Sequence, residues 1–359
     1  RSTLSSSSAA SDVYKRQVLM IILLIIIIST NFKYLSADEK IFADSHGPIS
    51  IMGDHVHKQN EYMFSYRFMK MDMKNLFQGN NKISKVHSMS SPNGASNSSG
   101  TYMNAPDSMS MDMHMFGAMY APSDYLTLML MGSYHNKEMT LQRMPMAGGK
   151  KFDVNSSGFG DMRLTFLSKI QDKKKWKNHV GLGVSIPTGS INNRDVTPMS
   201  SDARLGYAMQ NGTGTYDTFL LLNNLNEFGK FKVGEQFFFK LPVSGKNDNG
   251  YKFGEDIGLN LWVSYRFFQY LSGSLKINYQ YKGEMKGFDN EMNKRMSPAM
   301  DSKNQGFNKV NLGIGFNFIN NNNYFKNNRL GMEVLIPLYR EYKGIQMADS
   351  FSFVLGWQY

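Results

Sequence analysis

The chain has no cysteine in its 359 residues, which excludes a disulfide framework, thiolate metal centres and a cysteine nucleophile. Charged residues make up only 19%, below the quarter usual in soluble domains, which argues against both a helical protein and a disordered polyelectrolyte. Long apolar runs are nearly absent as well. Only Val18–Ile28 is unbroken, so a multi-helix membrane protein is excluded. The formal charge of +11 comes from scattered lysines with no nucleic-acid-reading motif, so no nucleic acid is expected as a partner. Nucleophile elbow, dinucleotide fingerprint and Walker loop are all missing. These absences leave a large β protein outside the cytosol.

The amino terminus has to be set apart from the fold. Residues 1–17 (RSTLSSSSAASDVYKRQ) are low in complexity and read as non-native linker sequence. Lys15-Arg16, the apolar run and Ser36-Ala37 ahead of Asp38-Glu39 make an export signal over residues 18–37. The run is 11 residues long, short of the roughly 20 that span a bilayer as a helix. Residues 38–60 follow as a periplasmic or plug segment, and 61–359 as the main domain.

That domain alternates with period two. Phe351, Phe353, Leu355, Trp357 and Tyr359 fall on one face, with Ser352, Gly356 and Gln358 on the other. Leu259, Leu261 and Val263 alternate with Asn260 and Ser264, and Ile314, Phe316 and Phe318 with Gly315 and Asn317. About twelve such strands are expected, near 61–71, 111–120, 125–135, 160–170, 179–187, 214–226, 229–240, 253–267, 269–282, 308–318, 329–337 and 351–359. The connections alternate between long and short. The fold class is therefore all-β: a transmembrane antiparallel β-barrel in a bacterial outer membrane, with long extracellular loops and short periplasmic turns. Expected partners are outer-membrane lipid, lipopolysaccharide, the barrel-assembly machinery and a small-molecule solute.

Six stretches stand out: APSDYLTL (121–128), GFGD (158–161), PTGS (187–190), NGTGTYD (211–217), NDNGY (247–251) and LGWQY (355–359), of which Pro122 and Asp124 read as a tight turn and Gly158–Asp161 as a bulge or close backbone approach. Together they resemble the outer-membrane family associated with the MetA pathway of phenol degradation and its transporter-like relatives. The resemblance implies an exported barrel that passes small molecules, and it carries over no catalytic residues.

Arg67, Asp161, Arg163, Lys169, Lys276 and Glu333 sit opposite apolar neighbours on these strands and are expected to line a polar lumen. An unpaired charge facing lipid at mid-depth would cost about 2–4 kcal/mol. None of the seven histidines is followed two residues later by serine, as a barrel phospholipase would need, so no enzyme is expected.

Methionine is the anomaly, at 27 residues, with His46, Asp54, His55 and His57 close to the start of the mature chain. Thioether and imidazole together suit a soft ion such as Cu(I), whereas packing alone accounts for many methionines. A four-residue turn at Ala121–Asp124 would set Tyr120 opposite Tyr125. In that register Met113, Met115 and Met119 face lipid, while His114 meets Met131 inside, with Asp112 near the outer rim. His55, His57, Asp112, His114 and Met131 are thus the candidate metal contacts. The expected function is a channel for small, hydrophobic or aromatic solutes, with a soft-metal barrel and a structural or adhesive barrel as alternatives.

Overall fold

The computed structural model describes residues 42–95, 100–173, 175–320 and 328–359. The linker and export-signal readings lie outside these residues. The wall is built from Tyr62–Gly79 (β1), Asn104–Ser123 (β2), Leu126–Arg143 (β3), Met162–Lys173 (β4), Trp176–Ile186 (β5), Asp217–Phe228 (β6), Phe231–Pro242 (β7), Asp256–Phe268 (β8), Leu271–Lys282 (β9), Phe307–Asn320 (β10) and Asn328–Gln358 (β11). Each pairs antiparallel with its neighbour in chain order. β11 pairs with β1, so the sheet closes on itself and the wall has no free edge. In β11, Asn328–Tyr342 lies against β10 and Tyr342–Gln358 against β1. Two further strands, Asn81–Ile83 and Lys151–Phe159, extend the wall at β1 and β3.

Period two decides which face is which. Leu259, Leu261 and Val263 of β8 are exposed, whereas Trp262 and Ser264 between them are buried. Ile314, Phe316 and Phe318 of β10 are exposed and Asn317 is buried. The apolar face therefore points outward around the ring, as lipid requires. Exposed Tyr62, Tyr125, Trp176, Phe228, Phe231, Phe268 and Tyr270 cluster at the ends joined by short turns, where an interfacial aromatic belt belongs.

Two expectations are corrected. Residues 72–110 and 136–159 are not long loops: β1 runs to Gly79, β2 starts at Asn104, and β3 reaches Arg143. Met69, Met71 and Met73 keep the alternation going, but methionine is a weak strand signal and their polar neighbours read as loop. The β2–β3 register also differs from that expected. Tyr120 lies opposite Leu128, not Tyr125, and the tip shrinks to Asp124–Tyr125, with a bulge between Tyr120 and Ser123. Pro122 has no N–H to give a ladder, so the bulge falls there. The offset changes by an odd number of residues, and the two faces exchange.

Outside the wall, loop residues pack on one another at the end opposite the aromatic belt. Arg204 lies 3.5 Å from Asp289, and the Tyr102 hydroxyl donates to Asp301 at 2.9 Å.

Candidate functional site

The interior of the barrel holds residues 42–57, which form no regular element. A segment of this kind leaves its backbone groups without ladder partners, and each must be answered inside the barrel. Side chains of the wall do so. Arg67 Nε donates to the carbonyl of Ile49 (2.9 Å), Gln236 Nε2 to Met52 (2.9 Å), His179 Nε2 to Gly53 (2.7 Å), and Asn223 Nδ2 to Asp54 (3.1 Å). The fully buried Arg329 donates to the Gly47 carbonyl. The His57 N–H reaches Thr127 Oγ1 at 3.0 Å. At the short-turn end, Asp44 takes a bidentate pair of bonds from Arg266 at 2.7 and 2.8 Å.

The segment is a plug, and its partners come from most of the strands. Ile51 packs with Trp262 and Leu225. Met52 and Val56 pack on a buried cluster of Met63, Met119, Met129, Met131, Leu167 and Leu221.

The wall beside it has two chemical faces. On β1–β3, opposed residues form inward rows: Met63–Met119–Met129, Ser65–Gly117–Met131, Arg67–Met115–Ser133, Met69–Met113–His135, Met71–Met111–Lys137 and Met73–Met109–Met139. Every row contains methionine, so a thioether track runs the length of this wall. Across the barrel, five side-chain amides make a ladder. Gln236 donates to Asn223 (3.3 Å), Asn260 to Gln236 (3.5 Å), Asn278 to Asn260 (2.9 Å) and Asn311 to Asn278 (3.1 Å).

The expected lumen residues take separate roles. Arg67 holds the plug. Lys276 pairs with Glu333 at 2.6 Å, both fully buried. Arg163 lies opposite the inward Met131. Lys169 pairs with Asp172 at 3.0 Å. Asp161 organises a loop instead of lining the bore, accepting from the Gly189 N–H (3.0 Å) and from the N–H and hydroxyl of Thr213 (2.9 and 2.7 Å).

The expected metal contacts separate. His114 lies opposite Phe68 and Tyr134 on the outward face, where its Nδ1 is 2.8 Å from the Tyr66 hydroxyl. Met131 lies opposite Gly117 on the inward face, so the two never meet. Asp112 shares the face of His114, 3.5 Å from Lys70. His55 and His57 remain inside, with His46 and Asp54 beside them. Met113, Met115 and Met119, expected toward lipid, face inward.

In the plug, burial and then the neighbouring His55 ring hold the His46 imidazole well below its ordinary value of 6.5. Burial pushes the Asp54 carboxyl up, but the charge and hydrogen bond of His55 outweigh it, and the group stays well below the usual carboxylate value. Burial also lowers His57, against an opposing hydrogen bond from Glu61.

Ser133 Oγ and His135 Nε2 face the lumen 2.8 Å apart, a pair overlooked because serine precedes histidine in the sequence. Among the described residues His135 Nδ1 is buried without a hydrogen-bond partner, so none of them supplies the carboxylate that orients the ring in a hydrolytic triad. At the outer end a cavity of about 360 Å³ is lined by Met139, Leu141, Phe152, Val154, Leu205 and Met209.

Among solved structures, the chain is similar to an outer membrane channel from Pseudomonas putida F1, with a TM-score of 0.58 and 14% identity, covering 85% of this chain and 97% of that one. The fold is that of an outer-membrane β-barrel. Likenesses to the CymD monoaromatic hydrocarbon channel (TM-score 0.40, 9% identity, 84% and 88% coverage) and to a Pseudomonas aeruginosa FadL homologue (0.39, 8%, 83% and 90%) are weaker. No family model matches the sequence, and no curated protein matches it.

Proposed function

We propose that the chain is an outer-membrane channel for small apolar or aromatic solutes, throttled by its own plug. The observation that carries this reading is the inward methionine track on β1–β3. A flexible, polarisable thioether wall accommodates varied apolar shapes and makes favourable contacts with aromatic rings. The facing amide ladder supplies a polar counter-surface, so a solute need not be apolar all round. The fold similarity to an outer membrane channel supports passage as the task. The amphipathic wall and aromatic belt support a bacterial outer-membrane location, with the short turns toward the periplasm.

The reading includes twelve strands. A closed ring in which every pairing is antiparallel needs an even number, so β11 counts as two strands that reverse near Gly344, which has φ +66°. It also retains membership of the phenol-degradation-pathway family as a proposal, and it assigns no catalytic step. Liposome flux tests it. Neutral monoaromatics should enter proteoliposomes faster than sugars of similar size, and Met113→Asp with Met115→Asp should slow them. Equal rates for sugars and aromatics in the unaltered protein would overturn the solute class.

A further inference from the structure

We infer that the plug holds a transition-metal ion, with copper the expected occupant, at His46, Asp54 and His55, and with His57 alongside. The plug doubles back so that side chains nine residues apart converge on one point. His46 Nδ1 and His55 Nδ1 are 3.3 Å apart. Asp54 Oδ1 is 2.8 Å from His55 Nδ1, and Asp54 Oδ2 is 3.9 Å from His46 Nδ1. One donor atom from each residue lies within 4.8 Å of the others. With bonds near 2.0 Å, a tetrahedral ion keeps its ligands roughly 3.3 Å apart and a square-planar one keeps cis ligands roughly 2.8 Å apart, so little movement would be needed to close around either.

Protons alone satisfy these groups poorly. A carboxylate only accepts, and a His55 Nδ1–H that donates to Asp54 has no lone pair to offer the facing His46 Nδ1. A cation accepted by all three removes that conflict. The second rings give an independent pointer: Nε2 of His55 and Nε2 of His57 are buried with no hydrogen-bond partner. The His57 ring centroid lies 4.9 Å from that of His55. Its Nδ1 lies 3.4 Å from Glu61 Oε2, the carboxylate backing that commonly orients a ligating histidine.

Two imidazoles and a carboxylate suit borderline divalent ions, among which Cu(II) binds most tightly. Gly53, beside Asp54, lies against Leu221, Leu167 and Met129 of the wall, so the site's inner side is apolar. Bound there, the ion would tie the two arms of the plug together.

The refolded full-length protein, titrated with Cu(II) chloride and followed by electron paramagnetic resonance, tests the site. One Cu(II) per chain with nitrogen superhyperfine structure is expected. Binding should weaken by more than about 100-fold in His46→Ala/His55→Ala, since loss of a group that only backs a ligand already costs about 10–100-fold. His87→Ala, at an exposed position of the helix Lys85–Ser90, should bind as the parent does. If the alanine variant fails to fold, His46→Gln/His55→Gln serves, with barrel folding checked by heat-modifiable gel mobility. Parental stoichiometry and affinity in a folded double variant would overturn the site. Zn(II) displacing Cu(II) at equal concentration would overturn the choice of copper. Binding is read without any flux, so failure of the channel assay leaves this inference standing, and the converse holds.

Discussion

Lys276 Nζ reaches Glu333 Oε1 at 2.6 Å across the intervening strand β10, passing over Gly313. A side chain on Gly313 would meet Lys276 Cε at 3.0 Å and press on the Glu333 carboxylate. The other carboxylate oxygen accepts from the Ser50 N–H at 3.1 Å, so this pair joins wall to plug.

Glu333→Ala should therefore destabilise the barrel by about 3–5 kcal/mol, because it strands a buried ammonium. Lys276→Met/Glu333→Met should cost much less, since no charge is left unpaired. Urea unfolding in lipid vesicles compares them, and equal losses in the two variants would refute the pairing argument.

Gly234 sits beneath the buried Trp262 ring, and any Cβ there would collide with it. Because Trp262 also packs on Ile51 of the plug, Gly234→Ala should push the ring aside and loosen the plug. Overpacking of this kind costs about 1–3 kcal/mol. A red shift in tryptophan emission with faster plug proteolysis is expected, whereas an unchanged spectrum would contradict the packing.

Charge placed on the outward face should be costly in a way that charge on the inward face is not. Leu261→Lys should cost about 2–4 kcal/mol of insertion free energy near mid-depth. Met115→Glu, on the inward face directly opposite Arg67, can pair with that guanidinium and should insert at close to parental efficiency. Folding yield into bilayers decides, and the reverse order would mean that the faces are wrongly assigned.

The barrel was legible in the sequence because aliphatic and aromatic residues mark one face of β5 to β10 so plainly. The methionine strands were not. Met109 to Met115 alternate perfectly, yet their polar partners are serine, aspartate and histidine, which period two alone cannot assign to lumen or lipid. A single bulge at Pro122 then reversed the faces of β2 relative to the turn-based register, which moved His114 out and Met115 in. The plug site was half legible: His46, Asp54, His55 and His57 stood out and His55 and His57 were candidate contacts, but His46 and Asp54 join them only because lumen side chains fold residues 42–57 back on themselves.

The register itself can be checked with thiols, since the chain has no cysteine of its own. Met115→Cys/Ser133→Cys places two thiols on opposed inward positions and should cross-link under mild oxidation. His114→Cys/Met131→Cys, on opposite faces of the wall, should stay reduced. Cross-linking only in the second pair would restore the register of a four-residue turn at Ala121–Asp124.

Single-channel conductance in planar bilayers tests the central claim most directly. The full chain and a variant lacking residues 42–57 are compared at the same voltage and salt. The plug bonds of Arg67, Arg329, Gln236 and His179 lead to a small conductance in the full chain and a several-fold larger one in the variant. Indistinguishable conductances, or none in either protein when both are folded, would contradict a plugged channel.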